Sequence, residues 1–262
     1  MLSEEQIDRA AQLLKSARLA KKSIDCIPED IRPKSIEDAY AVQSRFLGIM
    51  GWNVAGWFLA NTNIKIQELI RYTKPFYGRR FTDLVFTSPA RIKMSEFQSI
   101  DLECEFGFSL KHDLPKRGKD YSQAEVEEAI ATVHPVIDIV APYLKNWTEH
   151  DIFSIIADNG ADGALVYGEG VSDWRDLDLI NMDVTLSVNG TIVRRGTGAD
   201  VMRDPVAALV WIVNARANAG DGLRAGCVHH TGTATALFRD IKAGDEVVAT
   251  FNGLGAARAK FI

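Results

Sequence analysis

Cysteine, long apolar runs and any excess of positive charge are all missing or scarce in this chain of 262 residues. Its three cysteines, Cys26, Cys104 and Cys227, are far apart and form no Cys-x-x-Cys pair. This spacing argues against a disulfide framework or a zinc ribbon and favours a reducing compartment. No stretch approaches the roughly 20 apolar residues of a membrane span, and residues 1–22 carry charges throughout instead of the apolar centre of a secretory signal. We therefore expect a soluble, cytoplasmic protein.

The charge balance and the missing motifs narrow the range of partners. The formal net charge is −5, so the sequence offers no basic surface for nucleic acid or an anionic membrane. Neither Gly-x-Gly-x-x-Gly nor Gly-x-x-x-x-Gly-Lys-Ser/Thr occurs, and no serine stands in a nucleophile elbow. Dinucleotide binding, P-loop chemistry and serine hydrolysis are unsupported, which leaves a small molecule as the expected partner.

The first part of the chain is rich in helix signals. Ser3 precedes apolar residues at positions 7, 10, 11 and 14, and Ser35 precedes a second helical pattern that continues to Leu47. We interpret residues 1–52 as a small N-terminal helical cap and residues 53–262 as the catalytic domain.

From Asn53 onward, strand and turn signals become frequent. Residues 54–60 predict a strand, residues 64–71 a short helix and residues 74–78 a loop. Ser122 and Glu125 have the spacing of a capping box, which predicts a helix to about Thr132. An Asn-Gly pair at 189–190 predicts a hairpin, and an Asp-Pro pair at 204–205 predicts a helix to about residue 219. The pattern predicts a mixed α+β fold.

Glu103 and Glu105 lie two residues apart in an apolar run from 102 to 110 that reads as a strand. Side chains at this spacing project from the same face of a strand. Two neighbouring carboxylates repel each other and resist burial unless a proton or cation holds them, so a hard metal ion is the favoured explanation. A solvated strand face is the alternative.

Asp138 is the third acid of interest, since it interrupts an apolar run from 136 to 141. Alone it is more typical of a core acid bonded to backbone donors. Together with Glu103 and Glu105 it would complete a set of three oxygen ligands, which favours Mg²⁺ or Mn²⁺ over zinc. Three negative charges against a divalent ion would leave the site anionic, so an acidic substrate must chelate the metal or meet a cation elsewhere.

Two further polar clusters deserve a functional interpretation. Residues 157–160, Ala-Asp-Asn-Gly, also read as the C-terminal turn of a helix. Residues 229–233, His-His-Thr-Gly-Thr, offer hydroxyl and amide donors that could hold a carboxylate. Adjacent histidines on a strand face opposite ways. A His-His metal pair is therefore disfavoured, and one histidine is a candidate for lining the site.

Taken together, these segments resemble the hydratase and decarboxylase branch of the fumarylacetoacetate hydrolase superfamily, which contains 2-keto-4-pentenoate hydratases and 4-oxalocrotonate decarboxylases. The resemblance covers nearly the whole chain, and its specificity comes from the order of many short motifs. These motifs are found at residues 38–43, 55–57, 75–78, 103–105, 113–115, 135–139, 157–159, 196–205, 208–211, 223–226, 231–233, 243–245 and 254–255.

The resemblance implies a mixed sheet coiled into a β-roll, with Mg²⁺ or Mn²⁺ on Glu103, Glu105 and Asp138 as catalytic ligands. In this branch the third ligand is usually glutamate, which is one methylene longer than Asp138. The resemblance also implies homo-oligomers, possible association with a pathway partner enzyme, and a 2-oxo acid substrate bound near Phe76, Asp158, Asn159, Gly232 and Thr233.

Position 58 departs from the family pattern. Hydratases of the branch resemble one another in having a lysine just after the Gly-Trp-like pair, whereas this chain has Phe58 after Gly56-Trp57. Phenylalanine cannot donate a proton or carry a charge, and Lys65 and Lys74 lie outside the motif. Metal binding is unaffected by this departure, but the standard hydration step is called into question.

The functional expectation is a metal-dependent lyase of 2-oxo or 2-hydroxydienoic acids from aromatic ring degradation. The first hypothesis is a 2-hydroxypenta-2,4-dienoate hydratase, because of the branch that the chain resembles. A 4-oxalocrotonate-type decarboxylase is the closest alternative, since loss of CO₂ needs no lysine to deliver water. A C–C bond hydrolase of the acylpyruvate type and a noncatalytic partner subunit with the same fold are the remaining alternatives.

Overall fold

The computed structural model describes all 262 residues and contains six α-helices and twelve β-strands. The helices are α1 (Glu4–Ala20), α2 (Ile36–Met50), α3 (Ile64–Ile70), α4 (Gln123–Ala129), α5 (Ile152–Ala157) and α6 (Pro205–Ala219). The strands are β1 (Val54–Ala60), β2 (Phe76–Phe81), β3 (Val85–Thr87), β4 (Ala90–Ile92), β5 (Asp101–Leu110), β6 (Ile130–Val140), β7 (Asp162–Tyr167), β8 (Asp183–Val188), β9 (Thr191–Thr197), β10 (Val228–Thr233), β11 (Glu246–Phe251) and β12 (Gly255–Phe261).

Local sequence signals account for where the main helices begin. The Ser3 hydroxyl accepts the Gln6 N–H, and the Gln6 side chain accepts the Ser3 N–H, so α1 starts with a complete capping box. The Asp204 carboxylate accepts the Val206 N–H, and Pro205 occupies the first turn of α6, where its missing N–H costs nothing. These helices start where the sequence predicts.

Seven strands form the first sheet, in the order β2-β1-β10-β5-β6-β7-β3. Strands β1 and β10 pair in parallel, as do β3 and β7, and the remaining neighbours are antiparallel. The long strands β5 and β6 lie at its centre. This placement buries both faces of β5 and explains its nearly continuous run of buried residues.

Five strands form the second sheet, in the order β4-β12-β11-β8-β9. The Asn189-Gly190 turn joins β8 to β9 with positive φ at both residues, as a tight hairpin requires. Apolar side chains of the two sheets share one core, in which the Phe106 ring contacts the edge of the Phe251 ring at 5.0 Å. The two packed mixed sheets confirm the predicted α+β class and its β-roll core.

The N-terminal helices pack over the remaining part of the first sheet. A second core of buried residues joins α1 and α2 to α5 and to side chains such as Phe76 and Val140. The helical cap is therefore present and continuous with the body of the protein. Its boundary at residues 52 and 53 stays a prediction.

Two segments differ from the expectation. The helix at Ser122 ends at Ala129, and strand β6 begins at Ile130, because the β-branched residues that follow pair with the end of β5. Residues 76–78, which the sequence predicts to lie in a loop, belong to strand β2 and pair with β1. None of the helices is long and apolar enough to cross a membrane.

Candidate metal centre and substrate site

The three candidate ligands lie on one face of the first sheet. Glu103 on β5 stands directly opposite Asp138 on β6, and Glu105 follows on the same face of β5. The residues between them, including Cys104, point into the core between the two sheets. Because side chains alternate between the two faces of each strand, the three carboxylates predicted from the sequence lie together on one face.

These carboxylates are all buried, with residue exposures of 9% or less. Burial, followed by the charges of Glu105 and Asp138, raises the pKa of Glu103 well above its usual range. Burial and the charge of Asp138 also raise the pKa of Glu105. This burial excludes the solvated-face alternative, and crowding of negative charge adds to the effect of burial on both pKa values.

The donor set fits a divalent cation. Single ligand atoms of Glu105, Asp138 and His230 lie within 4.8 Å of one another, and Glu103 stands next to Glu105 with its charge coupled to it. A divalent ion would offset both the burial of these charges and their mutual repulsion, the two causes of the raised pKa values, and its binding would release the protons. Glu103, Glu105 and Asp138 are retained as the proposed ligands, whereas both ring nitrogens of His230 are engaged in hydrogen bonds with Arg80 and Glu105.

The sequence interpretation missed Arg80, the positive charge of the site. Its guanidinium is completely buried, and its Nη2 donates to Asp138 Oδ1 at 2.6 Å. Arg80 lies on β2 with Phe76 and Gly78 on the same face of the strand. The alternation of Phe76, Gly78 and Arg80 could have revealed it, had residues 76–81 been interpreted as a strand.

His230 connects Arg80 to Glu105. Arg80 Nη2 and Nε lie 3.2 and 3.4 Å from His230 Nε2, and His230 Nδ1 lies 2.6 Å from Glu105 Oε2. Because a guanidinium has only donors, Nε2 is the acceptor and Nδ1 carries the proton that is donated to Glu105. Burial lowers the pKa of His230 to about 3, so this contact is a hydrogen bond of a neutral imidazole and not an ion pair.

His229 faces the opposite side of β10, as alternation predicts. Its Nδ1 accepts the Trp57 N–H at 3.2 Å, and its Nε2 donates to the Arg224 carbonyl at 2.9 Å. Burial lowers its pKa to about 4. One histidine therefore lines the site and the other is structural.

Phe58 covers the position between His230 and Arg80. Its ring stacks on the His230 ring with centroids 5.5 Å apart and an angle of 22°, and the Arg80 guanidinium carbon lies 5.0 Å from its centre. The ring fits because Gly78 stands opposite, where a Cβ would come within 2.3 Å of Phe58 Cζ. The apolar ring at this position thus adjoins a cation supplied by the neighbouring strand.

Gly232 and Thr233 follow His230 on β10. The Gly232 N–H donates to Glu105 Oε2 at 2.7 Å and so orients a proposed metal ligand. Its φ of +83° and a Cβ clash with Thr62 Oγ1 at 2.2 Å both require glycine. The Thr233 hydroxyl donates to the Thr235 carbonyl at 2.8 Å. Both residues adjoin the site, and their substrate contacts stay predictions.

Phe76, Asp158 and Asn159 are buried, and none of them has a hydrogen bond to the site carboxylates. Phe76 packs in the core beneath the N-terminal helices. The Asp158 carboxylate accepts the Tyr143 N–H and pairs with Arg18, and the Asn159 amide bonds both backbone groups of Arg79. Their described bonds hold α1 and β2 in place. Their substrate-binding roles stay predictions.

The proposed lysine substitutes lie elsewhere, since Lys65 and Lys74 are both exposed. A cavity of about 540 Å³ also lies apart from the carboxylates, between the end of α1, the end of β2 and the start of β7. Neither feature contributes a side chain to the carboxylate cluster.

Comparisons with known proteins agree on the family. Residues 62–262 match the model of the fumarylacetoacetate (FAA) hydrolase C-terminal family. The chain is similar to a 2-keto-4-pentenoate hydratase of Paraburkholderia xenovorans, with 29% identity over 99% of this chain and 96% of the relative. It is also similar to a 4-oxalocrotonate decarboxylase of Pseudomonas putida, with 25% identity over 100% of this chain and 98% of the relative.

A solved structure shows the same similarity. The 4-oxalocrotonate decarboxylase of Pseudomonas putida complexed with magnesium and adipate superimposes with a TM-score of 0.90 and 25% identity, covering 100% of this chain and 99% of that chain. The agreement extends over the N-terminal helices as well as both sheets.

Proposed function

Because this chain belongs to the fumarylacetoacetate hydrolase family, we propose that it is a divalent-metal-dependent lyase that acts on 2-oxo or 2-hydroxydienoic acids. A 2-hydroxypenta-2,4-dienoate (2-keto-4-pentenoate) hydratase is the first candidate. The buried cluster of Glu103, Glu105 and Asp138 carries the proposal, because Arg80 offsets only one of its three negative charges and the rest require a further cation or protons. The similarity to 2-keto-4-pentenoate hydratase over the whole chain supports the substrate class.

The proposed cofactor is Mg²⁺ or Mn²⁺, held by Glu103, Glu105 and Asp138. When bound, such an ion acts as a Lewis acid that stabilises the negative charge a 2-oxo acid develops as it enolises. The magnesium complex of the similar decarboxylase supports this choice of metal.

The side chains around the ligands divide the remaining tasks. Gly232 and His230 donate hydrogen bonds to Glu105 and hold its orientation. Arg80 forms an ion pair with Asp138 and offsets one of the three negative charges of the carboxylates. Phe58 excludes water from one side of the site, since its ring fills the space between His230, Arg80 and Gly78. Because these side chains are buried, electrostatic interactions among them are stronger than in water.

A 4-oxalocrotonate-type decarboxylase is the second candidate, favoured by one observation. Phe58 has no proton to donate and keeps its side of the site apolar, whereas loss of CO₂ does not require delivery of water from that side. The similarity to two 4-oxalocrotonate decarboxylases supports it. Acylpyruvate-type C–C hydrolysis and a noncatalytic partner role remain lower in rank.

We also propose a cytoplasmic location, a homo-oligomer and association with a pathway partner enzyme. The three scattered cysteines support a reducing compartment, and the family resemblance supports the assembly. Sedimentation of the purified protein would test the assembly directly.

The activity test uses 2-hydroxypenta-2,4-dienoate and 4-oxalocrotonate in separate assays, with Mg²⁺ or with EDTA. Loss of dienol absorbance without CO₂ identifies the hydratase, and release of CO₂ identifies the decarboxylase. Glu103→Gln should lower turnover by about 100-fold or more, because the proposed metal ligand set stabilises the developing charge.

Glu169→Gln, at an exposed position, is the matched control and should retain full turnover. Metal-independent turnover, or full turnover in Glu103→Gln, would rule out the proposed mechanism. Absence of turnover with both compounds would favour the noncatalytic role.

A further inference from the structure

Arg80 has one nitrogen whose hydrogen-bonding capacity is unused. Nε and Nη2 face His230 and Asp138, whereas Nη1 is buried and has no hydrogen-bond partner. The three nitrogens of a guanidinium lie in one plane at fixed angles, so Nη1 points away from the side that bonds His230. A buried charged donor without an acceptor is costly, and such exceptions call for a function.

The charges around Arg80 favour an anionic ligand. Glu103, Glu105 and Asp138 would contribute three negative charges and Arg80 contributes one positive charge. With a divalent cation, the cluster becomes neutral. A carboxylate can therefore enter the loaded site without meeting net negative charge, which removes the difficulty that the sequence alone left open.

Arg80 is also held where a chelating substrate would lie. It bonds Asp138, which is proposed to hold the metal, so a molecule that chelated the metal would lie next to the guanidinium. The Phe58 ring and His230 prevent Arg80 from moving toward β1 and β10. Phe58 on β1 carries no charge, so the cation beside Asp138 comes from Arg80 on β2.

We propose that Arg80 is a substrate-binding residue, which receives the carboxylate of the 2-oxo acid through Nη1. A chain with this arrangement requires an anionic substrate and discriminates against the neutral ester of the same acid. The inference rests on the proposed function, because it places the carboxylate at the metal-chelating end of the substrate.

A purely structural role for Arg80 makes a different prediction. If Arg80 only positions Asp138, its removal should weaken metal binding and ligand binding together. If it receives the substrate, its removal should weaken ligand binding while Mg²⁺ binds as tightly as before or more tightly, because one positive charge has left the cluster.

The experiment measures two binding constants by calorimetry for the wild type and for Arg80→Met. The first is for Mg²⁺ alone, and the second is for oxalate at saturating Mg²⁺. Oxalate is a suitable probe because it chelates a metal through two oxygens as a 2-oxo acid does and cannot react. We expect oxalate affinity to fall about 10-fold or more, with Mg²⁺ affinity unchanged or increased.

Arg79→Met is the matched control, since Arg79 is the preceding residue and faces Trp57 on the other side of β2. It should change neither constant. Arg80→Lys provides a second variant that keeps the positive charge beside Asp138; we expect it to fold and to lose several-fold in oxalate affinity, because lysine lacks the guanidinium fork. If Arg80→Met does not fold, the oxalate affinity of Arg80→Lys tests whether Arg80 binds the substrate carboxylate.

Wild-type oxalate affinity in the folded Arg80 variants, or a parallel loss of Mg²⁺ affinity, would overturn the inference. Failure of the proposed function is seen separately, as a wild-type protein without Mg²⁺-dependent turnover. The two failures therefore have different signatures.

Discussion

At the scale of single residues, His229 and His230 show that a shift of one residue along a strand changes the role of a side chain. Both are buried neutral imidazoles on β10, but His230 bonds Glu105 in the site and His229 bonds the backbone of Trp57 and Arg224 behind it. The alternation of a strand is the cause. Neither role depends on the residue type alone.

His229 should make folding stability depend on pH. Its pKa is about 4 in the folded protein, against 6.5 for an unperturbed histidine, because burial disfavours the charged form. As the pH falls from about 6.5 to 4, the unfolded chain takes up a proton that the folded protein does not. Stability from this residue is therefore fully present above pH 6.5 and is lost by up to about 3 kcal/mol toward pH 4.

The measurement compares denaturant unfolding of the wild type and His229→Gln between pH 7 and 4.5. The difference in free energy of unfolding should narrow as the pH falls, because only the wild type loses this contribution. His112→Gln, at an exposed position, should leave the pH dependence unchanged. A constant difference between the wild type and His229→Gln would contradict the assignment.

At the scale of elements, the N-terminal helices are joined to the sheet through a buried ion triad. Arg18 near the end of α1 donates to Asp162 at 2.6 Å and pairs with Asp158 at 3.5 Å. Burial raises the pKa of Asp158 to about 6 despite the Arg18 charge. The triad connects α1 to the end of α5 and to the first residue of β7, so it fixes the position of the cap.

Removing the charge of Arg18 should be strongly destabilising. Arg18→Met leaves two buried carboxylates without a cation, and we expect a loss of about 3–5 kcal/mol in the free energy of unfolding. Urea unfolding followed by circular dichroism measures it. Arg9→Met on the same helix is the control, because the Arg9–Asp30 pair is more than half exposed and is worth less than about 1 kcal/mol.

The carboxylates themselves provide a second check of this explanation. Adding Asp158→Asn and Asp162→Asn to Arg18→Met removes the unpaired charges, so most of the lost stability should return. If the triple variant is as unstable as Arg18→Met alone, apolar packing of α1 and not the ion triad holds the cap.

At the scale of the whole molecule, the metal site connects catalysis to stability. The proposed ligands come from β5 and β6 at the centre of the first sheet, and Gly232 and Arg80 reach them from the β10 and β2 side. An ion that binds only the folded protein stabilises it, and at 100 times its dissociation constant it contributes about 2.7 kcal/mol.

Mg²⁺ should therefore raise the melting temperature of the protein. For a chain of this size the expected increase is roughly 5–10 °C, and EDTA should reverse it. Glu105→Gln should lose the increase, whereas Glu169→Gln should retain it. An equal increase in Glu105→Gln would show that Mg²⁺ binds elsewhere.

Much of the fold follows from local signals in the sequence. The capping residues Ser3, Ser122 and Asp204 mark helix starts, and Asn189-Gly190 marks a hairpin, because each requirement involves only neighbouring residues. Strand β2 and the start of β6 do not follow from local signals, which predict a loop and the end of a helix at these positions. In the chain, helix α3 separates β2 from its partner β1, and helix α4 separates β6 from its partner β5. Strand pairing, and not local preference, therefore determines both segments.

The sequence by itself determined that Glu103 and Glu105 share a face, because that fact depends only on the period of a strand. The sequence pattern also singled out Asp138, and the resemblance to a family supplied the substrate class. Only the tertiary structure decided that Arg80, from a strand with no acidic motif, neutralises part of the cluster and lies beside Phe58. The physical reason is that charge compensation acts through space, across strands that are brought together by sheet order and not by sequence.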